Sequence, residues 1–214
     1  TIFASCGKPD GNSKLLNSIL DSMKEDFPKV VGDPKKYHLQ IIYTQVERNP
    51  DQLPSFTTHY YNFDPEKYFY PASTVKFPAT VLALEKVNHY QSLGLKKESS
   101  LTVGVGFEGQ TDVDGDSTAV NGKASVDHYV KKIFVVSDND AYNRLYEFLG
   151  QDAFNQRMWD LGYSETRIRH RLSIPLSLDQ NRYTNPITFY DEKGESLFHQ
   201  PQRRSVLNLS VNSN

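Results

Sequence analysis

Two short segments of the chain carry side chains whose types and spacing suit nucleophilic catalysis, and the first contains Ser73 and Lys76. In a helix, positions i and i+3 lie on one face with Cβ atoms about 5–6 Å apart, so the lysine amine can reach the serine hydroxyl. An amine at that distance can take up the hydroxyl proton and activate a weak nucleophile. At the start of a helix, free backbone N–H groups also favour an oxyanion on the attacked carbonyl. The pair suits acylation of Ser73, but on its own it establishes no catalysis, because a helix cap followed by a surface lysine has the same spacing.

The second segment, Ser137-Asp138-Asn139, lies in a short connection between two predicted helices. A Ser-x-x-Lys sequence at the head of a buried helix, followed by Ser-Asp-Asn between two later helices, resembles the serine β-lactamase and penicillin-binding protein superfamily, and most closely its class A β-lactamases. Tyr70-Pro71-Ala72 before the first motif and Phe77-Pro78 after its lysine are also similar to this family. The resemblance covers roughly residues 15–186.

The resemblance implies a role for each residue of the two motifs. Ser73 is the nucleophile that becomes acylated, and Lys76 is the amine that helps to deprotonate it. Ser137 relays a proton to the leaving nitrogen, while Asn139 holds Lys76 and the amide side chain of the substrate. Asp138 is expected to be structural, because an aspartate in a short connection accepts hydrogen bonds from backbone N–H groups. The implied reaction is acyl transfer from a cyclic or peptide amide, and it uses no metal and no cofactor.

Two departures from the family pattern concern the step after acylation and the extent of the fold. The family's loop carries a glutamate that activates the deacylating water, and Leu-Asn follows three and four places after that glutamate. The best match here is residues 171–177, which places Ser173 at the glutamate position and Ser177 at the asparagine position. Ser173 is therefore the candidate deacylation-loop position, and an acyl-enzyme is expected to persist. The family's Lys-Thr/Ser-Gly motif is not found after Asn139, since the Lys-Gly pair at 193–194 lacks the middle residue. We expect either that a C-terminal part of the fold is missing or that the chain is a truncated or divergent form.

Hydrophobic periodicity and capping residues predict the elements that position these motifs. The implied fold is α+β and β-lactamase-like, with an all-helical region packed on an antiparallel sheet that both chain ends form, and with C-terminal strands missing. Residues 1–13 are a predicted tether, and residues 14–214 a hydrolase domain that is C-terminally incomplete. The predicted helices cover residues 13–23, 73–90, 125–134, 140–149 and 152–161, and the predicted strands cover residues 37–46 and 56–63, joined by a turn at 49–51, and residues 206–211.

The predicted helix over residues 73–90 carries apolar residues on every side, a pattern typical of a helix buried within a domain. Helices beside it can cover only some of its faces, and one hairpin with at most one C-terminal strand makes a small sheet. We expect the chain as given to leave an apolar face open, and such a face favours association.

Composition excludes several other classes of protein. Lys and Arg number 24 against 26 Asp and Glu, so the chain has no positive excess for binding nucleic acid. Its one cysteine rules out an internal disulfide and a Cys-x-x-Cys zinc site, and no two of its six histidines have the i, i+4 spacing of a helical zinc site. The most apolar stretch, residues 77–84, is far shorter than a membrane span.

The N-terminal residues suggest a location for the protein. Phe3-Ala4-Ser5-Cys6 is similar to the end of a bacterial lipoprotein signal, in which small residues precede a lipid-modified cysteine. This interpretation predicts a protein of the bacterial periplasm or cell envelope, tethered to the membrane through Cys6, whereas a lone cysteine near a terminus also occurs without any role. The expected partner is a small-molecule amide or a peptidoglycan peptide, and the oligomeric state stays open.

Two weaker patterns each have two interpretations. Arg167, Arg169 and Arg171 share one face of an extended segment, where they could receive a carboxylate or phosphate. The near-neutral charge of the chain favours pairing with acidic groups inside an ordered loop instead. The aspartates at 112, 114 and 116 suggest a calcium loop, but the glycine comes two places early, so an acidic turn is expected.

Three functions remain open on the sequence. The leading one is a β-lactamase-type serine hydrolase, which is acylated and then hydrolyses the acyl-enzyme. The second is a penicillin-binding, D,D-peptidase-like protein with slow deacylation. The third is a non-catalytic envelope protein that retains the fold and has lost the chemistry.

Overall fold

The computed structural model describes residues 11–48, 50, 53–65 and 67–209, and the chain divides into two compact units, residues 1–69 and 70–214. The first unit contains α1 (Lys14–Ser22), α2 (Pro28–Gly32), β1 (Ile41–Glu47) and β2 (Ser55–Tyr61). The second contains α3 (Lys76–His89), β3 (Ser100–Val103), α4 (Val126–Val136), α5 (Asn139–Leu149), α6 (Gln151–Asp160), β4 (Ile187–Tyr190) and β5 (Ser196–Gln200). The predicted α+β class is confirmed, and the extent of the predicted domain over residues 14–214 stays a prediction.

The first unit is a hairpin with one amphipathic helix packed against it. Strands β1 and β2 pair antiparallel, from Ile41 opposite Tyr61 to Glu47 opposite Ser55, as predicted. The predicted turn at 49–51 lies outside the described residues except for residue 50. Ser13 occupies the N-cap position of α1, but its hydroxyl bonds to Nδ1 of His59 on β2 at 3.0 Å instead of capping a backbone N–H. Ser13 thus links the helix to the hairpin.

The core of the second unit forms where α3 packs against α4, α5 and α6. The α-helix begins at Lys76, three residues later than predicted, because residues 72–75 form a turn of 3-10 helix. Ala79, Ala83 and Val87 are fully buried on the packed face. The predicted burial on every side is wrong, since Phe77 is 63% and Val81 46% exposed. The neighbouring helices of this unit contact only one face of α3.

A three-stranded antiparallel sheet in the order β3-β4-β5 completes the second unit. The predicted single sheet built from both chain ends is not formed by the described residues, which make two separate small sheets. Alternate side chains of β3 and β4 enter the core, namely Leu101, Val103, Ile187 and Phe189. The predicted strand at 206–211 is not formed over residues 206–209, and its last two residues lie outside the described part of the chain.

Lys86 brings an amine into the core of the second unit. Its Nζ donates to the carbonyl oxygen of Phe148 and, at 2.7 Å, to Oε1 of Gln200. Two acceptors match the two N–H groups of a neutral amine, and Nζ also lies 4.4 Å from the centroid of the Phe148 ring. Burial disfavours the charged form and lowers the pKa of Lys86 to about 7.

We expect this lysine to make stability depend on pH. The unfolded chain binds the Lys86 proton up to its ordinary pKa of 10.5, while the folded protein releases it near pH 7, so the free energy of unfolding rises with pH between these values. Lys86→Met removes this contribution. Between pH 7 and pH 9.5, the free energy of unfolding of the parent should therefore rise by about 3 kcal/mol relative to that of Lys86→Met. Urea unfolding of both proteins at the two pH values measures this difference. A difference that does not change with pH would contradict the prediction.

Candidate active site

The candidate active site is built where three chain connections of the second unit meet. Ser73 lies in the 3-10 turn, and Lys76 is the first residue of α3. Ser137 ends α4 in the left-handed conformation, with a φ of +53°. Asn139 is the first residue of α5. All four residues lie in or beside the first or last turn of a helix, so the helix backbone fixes the position of each Cβ atom.

Asp138 joins α4 to α5 and acts through the backbone, as predicted. It occupies the N-cap position of α5, and its Oδ1 accepts a hydrogen bond from the Ala141 N–H at 2.7 Å. Such a cap satisfies a donor that the helix itself leaves unpaired. It holds the residues on either side, Ser137 and Asn139, at a fixed separation.

The amine of Lys76 is the centre of the site. Its Nζ donates to Ser73 Oγ at 3.2 Å and to Asn139 Oδ1 at 2.6 Å. It also lies 3.0 Å from Ser137 Oγ and 2.5 Å from the Ser137 carbonyl oxygen. Lys76 is only 3% exposed, and burial lowers its pKa below 10.5 although the charge of Asp138 acts in the opposite direction. A buried amine with a lowered pKa, in contact with two hydroxyls, is suited to proton transfer.

The loop that carries Ser173 is attached to α5 beside this amine. Asn139 Nδ2 donates to Ser173 Oγ at 2.8 Å. One turn further along α5, Asn143 makes two bonds to the backbone of Leu172, accepting from its N–H at 2.7 Å and donating to its carbonyl at 2.9 Å. A further turn along, Glu147 accepts from Arg171 Nε at 2.7 Å. One face of α5 therefore sets the positions of three consecutive loop residues.

Side-chain amides form hydrogen bonds with five of the six residues of the loop segment 168–173. We call these asparagine and glutamine side chains the amide ladder. Besides Asn139 and Asn143, the ladder includes Asn155, which makes the same pair of bonds to Ile168, both at 2.8 Å. Gln151 Nε2 donates to the Arg169 carbonyl at 2.8 Å, and Asn181 Oδ1 accepts from the Arg171 N–H at 2.8 Å. The backbone N–H and C=O groups of this segment are thus paired with side-chain amides, where a strand would pair them with the backbone of a neighbouring strand.

A buried ionic cluster lies at the end of the ladder. Glu147 is 2% exposed and stands between two guanidinium groups, with Arg171 Nε at 2.7 Å and Arg144 Nη1 at 3.2 Å. Arg171 Nη2 also donates to the Tyr183 carbonyl at 2.7 Å, and Arg144 Nη2 donates to Thr111 Oγ1 at 2.9 Å. The predicted pairing of the loop arginines with acidic groups is confirmed at Arg171. The cluster ties two loops to α5.

Backbone strain accumulates around the Lys76 amine. Ala72, Ser137 and Ser173 have φ values of +47°, +53° and +57°. The left-handed region is unfavourable for residues with a Cβ atom and persists only where the surroundings enforce it. Two of the three residues place a hydroxyl beside the Lys76–Asn139 pair, and the third precedes Ser73.

The structure thus brings together Ser73, Lys76, Ser137, Asn139 and Ser173, while Cys6 lies outside the described residues. Sequence reasoning missed Asn143 and Glu147, although polar residues at positions i, i+4 and i+8 of α5 were a signal that could have found them. The acidic turn was predicted: Asp116 accepts from Lys132 Nζ at 2.9 Å and from the Thr118 backbone N–H. Within the described ranges, no group of three or more His, Cys, Asp or Glu side chains could hold a metal ion, and no helix is long and apolar enough to cross a membrane.

Comparison with known proteins gives one match. The family model described as "Beta-lactamase enzyme family" matches residues 35–199, which is more than half of the chain. No curated protein and no solved structure matches the chain. The matched range includes all five residues that the structure brings together at the Lys76 amine.

Proposed function

Because the chain belongs to the beta-lactamase enzyme family, we propose that it is a serine hydrolase acylated at Ser73 by a β-lactam or a related amide. The family match also confirms the resemblance to serine β-lactamases and penicillin-binding proteins. One observation carries the proposal: a single buried amine, Lys76 Nζ, lies within hydrogen-bond distance of Ser73 Oγ, Ser137 Oγ and Asn139 Oδ1. The two hydroxyls that exchange protons in the proposed acylation, those of Ser73 and Ser137, therefore both contact the same amine.

The proposed acylation begins with the neutral Lys76 amine. It accepts the Ser73 hydroxyl proton as Oγ attacks the carbonyl carbon of the amide, which becomes a tetrahedral oxyanion. The Ser73 N–H can bind this oxyanion, since the first bonded donor of the 3-10 turn is the Thr74 N–H. Collapse breaks the carbon–nitrogen bond, Ser137 gives its proton to the leaving nitrogen, and the Lys76 ammonium returns a proton to Ser137.

Asn139 has a second proposed task in this sequence. Its position beside Lys76 supports the role of holding the amide side chain of the substrate once that substrate is bound. Its Oδ1 meanwhile keeps the amine in place between the two hydroxyls. The acyl-enzyme that results is an ester of Ser73, and hydrolysis of that ester completes a β-lactamase cycle.

A second candidate is a penicillin-binding, D,D-peptidase-like function with slow deacylation. The observation that favours it is the hydroxyl of Ser173, which occupies the loop position beside Asn139 where the family carries its water-activating carboxylate. A serine hydroxyl is a far weaker base than a carboxylate at neutral pH. The third candidate, a non-catalytic envelope protein, would form no adduct at all.

The experiment is intact-protein mass spectrometry after mixing with benzylpenicillin, combined with nitrocefin hydrolysis. We expect a covalent adduct that contains the whole penicillin, persists after free drug is removed, and is not formed by Ser73→Ala. Rapid repeated nitrocefin turnover would favour the β-lactamase cycle over the penicillin-binding one. If neither benzylpenicillin nor a D-Ala-D-Ala ester labels Ser73, the proposed hydrolase function is wrong.

The proposed location is the periplasm or cell envelope of a bacterium, with a lipid tether at Cys6 and a small amide or peptidoglycan peptide as substrate. The support is the sequence around Cys6 together with family membership. Membrane fractionation of the protein in its host tests it, because Cys6→Ala should move the protein to the soluble fraction. Recovery of the unmodified parent in the cytoplasm would contradict this location.

A further inference from the structure

We propose that the second unit has a binding site for a small organic anion, in which a carboxylate is attached to an apolar chain. The site is a cavity of about 310 Å³, lined by residues of the loop over 169–182 and of the segment 207–209. Arg169 and Arg182 hold the carboxylate, and three leucines contact the chain. None of the described residues that line this cavity is one of the five at the Lys76 amine. The inference concerns a second ligand and does not rest on the proposed hydrolase function.

Arg169 differs from the two arginines beside it in the sequence. Arg171 is paired with a buried carboxylate, and Arg167 donates to two backbone carbonyls of its own loop. Arg169 is bonded through its backbone, whose carbonyl accepts from Gln151 Nε2 at 2.8 Å. Its guanidinium has no hydrogen-bond or ion-pair partner among the residues that the structure describes. Because a guanidinium keeps its charge near neutral pH, a half-buried one without a partner favours a bound anion.

Arg182 lines the same cavity, and the backbone holds its side chain in place. Its Nε donates to the Ser205 carbonyl at 3.0 Å and its Nη2 to the Leu207 carbonyl at 3.4 Å. The Ser205 N–H donates in turn to the Arg182 carbonyl at 2.8 Å. Within the described ranges, Nη1 of Arg182 has no acceptor. The second guanidinium is therefore fixed before a ligand arrives, which lowers the entropy cost of binding.

Asp179 is the one acidic residue among the described residues that line the cavity. Its Oδ1 accepts from Nη2 of Arg204 at 2.9 Å, and Arg204 does not line the cavity. The Asp179 charge is thus matched from outside. Neither Arg169 nor Arg182 forms an ion pair with a carboxylate of the described part of the chain. The cavity therefore presents two guanidinium groups to an incoming anion.

Three leucines supply the apolar part of the wall, namely Leu178, Leu207 and Leu209. Leu209 is 7% exposed, so its side chain belongs to the folded unit. An inorganic oxyanion gains little from these leucines, whereas an alkyl carboxylate places its chain against them and removes apolar surface from water. A mainly apolar wall with a few charged groups that fix orientation is typical of small-molecule sites, whose volumes begin at about 300 Å³.

The cavity also connects the two ends of the loop that carries Ser173. Arg169 precedes Ser173 in the chain and Arg182 follows it. Asn181, the neighbour of Arg182, accepts from the Arg171 N–H at 2.8 Å, so the two ends already lie together. A carboxylate held by both arginines adds a second link between them. We therefore expect the backbone amides of residues 169–182 to respond to the ligand.

The test is an NMR titration of the 15N-labelled parent at low ionic strength, with hexanoate as the probe. We expect amide shifts at residues 169–182 and 205–209 that saturate with a Kd of about 1–10 mM. Hexanamide has nearly the same shape without the charge, and acetate has the charge without the chain. Each should bind at least about tenfold more weakly than hexanoate. Inorganic phosphate, which has no apolar chain, should also bind more weakly.

The variants test which arginine side chain carries the binding. Arg169→Gln should weaken hexanoate binding by at least about tenfold, and Arg169→Lys, which keeps a charge, should weaken it by less. Arg167→Gln is the matched control, because it removes an arginine of the same loop that does not line the cavity, and it should leave the Kd unchanged. The Arg169 guanidinium makes no bond within the described fold, so Arg169→Gln should unfold at the same urea concentration as the parent.

The outcomes are separate from those that test the hydrolase function, since no β-lactam is used. If hexanoate at about 50 mM shifts no amide, or binds Arg169→Gln as tightly as the parent, the inference is overturned. Shifts confined to the residues around Lys76 would place the ligand in the candidate active site and also overturn it. Phosphate that binds as tightly as hexanoate would overturn the assignment of an apolar chain to the ligand.

Discussion

Replacing Lys76 with alanine lowers the rate of Ser73 acylation by about a thousandfold, the size of effect expected when a general base is removed. The Ser73 hydroxyl then has no acceptor for its proton, and Ser137 loses the group that returns a proton to it after the carbon–nitrogen bond breaks. In the parent, acylation should rise with pH as the Lys76 amine loses its proton. Because burial lowers the Lys76 pKa, the midpoint of that rise lies below 10.5.

Stopped-flow labelling with a fluorescent penicillin measures the acylation rate in each variant. Lys76→Arg keeps a positive charge and several donors but cannot accept a proton near neutral pH, so it should be about as slow as Lys76→Ala. Lys131→Ala removes an exposed lysine paired with Asp127 and should leave the rate unchanged. Small primary amines added to Lys76→Ala should recover part of the rate. Acylation of Lys76→Ala within tenfold of the parent would show that another group is the base.

Replacing Glu147 with glutamine lowers the free energy of unfolding by about 3–5 kcal/mol. The carboxylate stands between Arg144 and Arg171, which are 6% and 3% exposed. Its removal takes away the counter-charge of Arg171 and leaves Arg144 only Asp140, whose Oδ1 lies 3.1 Å from Arg144 Nη2. Neither guanidinium can lose its proton near neutral pH, because the pKa of arginine is above 12. The loop that carries Ser173 should loosen as well, since Arg171 fixes its first residue to α5.

Urea unfolding measures the loss, and the chain offers a matched control in Glu85. Glu85 accepts hydrogen bonds from both Nε and Nη2 of Arg157, with a shortest distance of 2.7 Å, but its side chain is 48% exposed. Glu85→Gln should therefore cost less than about 1 kcal/mol. Similar small losses in both variants would mean that the buried cluster contributes no more than a surface ion pair. If Glu147→Gln does not fold, hydrogen exchange of the parent can show whether the loop opens below global unfolding.

Ser73, Lys76, Ser137 and Asn139 could be predicted because the two motifs that contain them resemble those of a known family, and the spacing of Ser73 and Lys76 fits the chemistry. Ser73 and Lys76 need only one helical turn between them, and Ser137 and Asn139 flank a helix cap. The ladder residues could not be predicted in the same way. Asn143, Arg144 and Glu147 form a polar stripe on α5, which in a sequence is typical of a solvent-exposed face. Asn143 and Glu147 are buried because a loop more than twenty residues later in the chain covers them, and Arg144 is buried against Thr111, more than thirty residues earlier.

The missed strands have a related explanation. Strands β3 and β4 have only four residues each, and their partners are separated by more than eighty residues, as in Leu101 opposite Phe189. Each contributes only two buried alternating residues, too few for a clear period of two, although Ile187 and Phe189 fit it. The hairpin β1–β2 was predicted correctly because both strands are longer and adjacent in the chain.

The asparagine side chains of the amide ladder make the site sensitive to deamidation. Slow hydrolysis of an asparagine side chain releases ammonia and leaves a carboxylate, which can accept hydrogen bonds but no longer donate one. At Asn143 the bond from the Leu172 N–H would survive, while a negative oxygen would face the Leu172 carbonyl where Nδ2 now donates at 2.9 Å. Ser173 would lose its support through a change in a side chain distant from the scissile bond. A molecule hydrolysed at Asn143 should therefore keep its fold while the loop that carries Ser173 is held less firmly to α5.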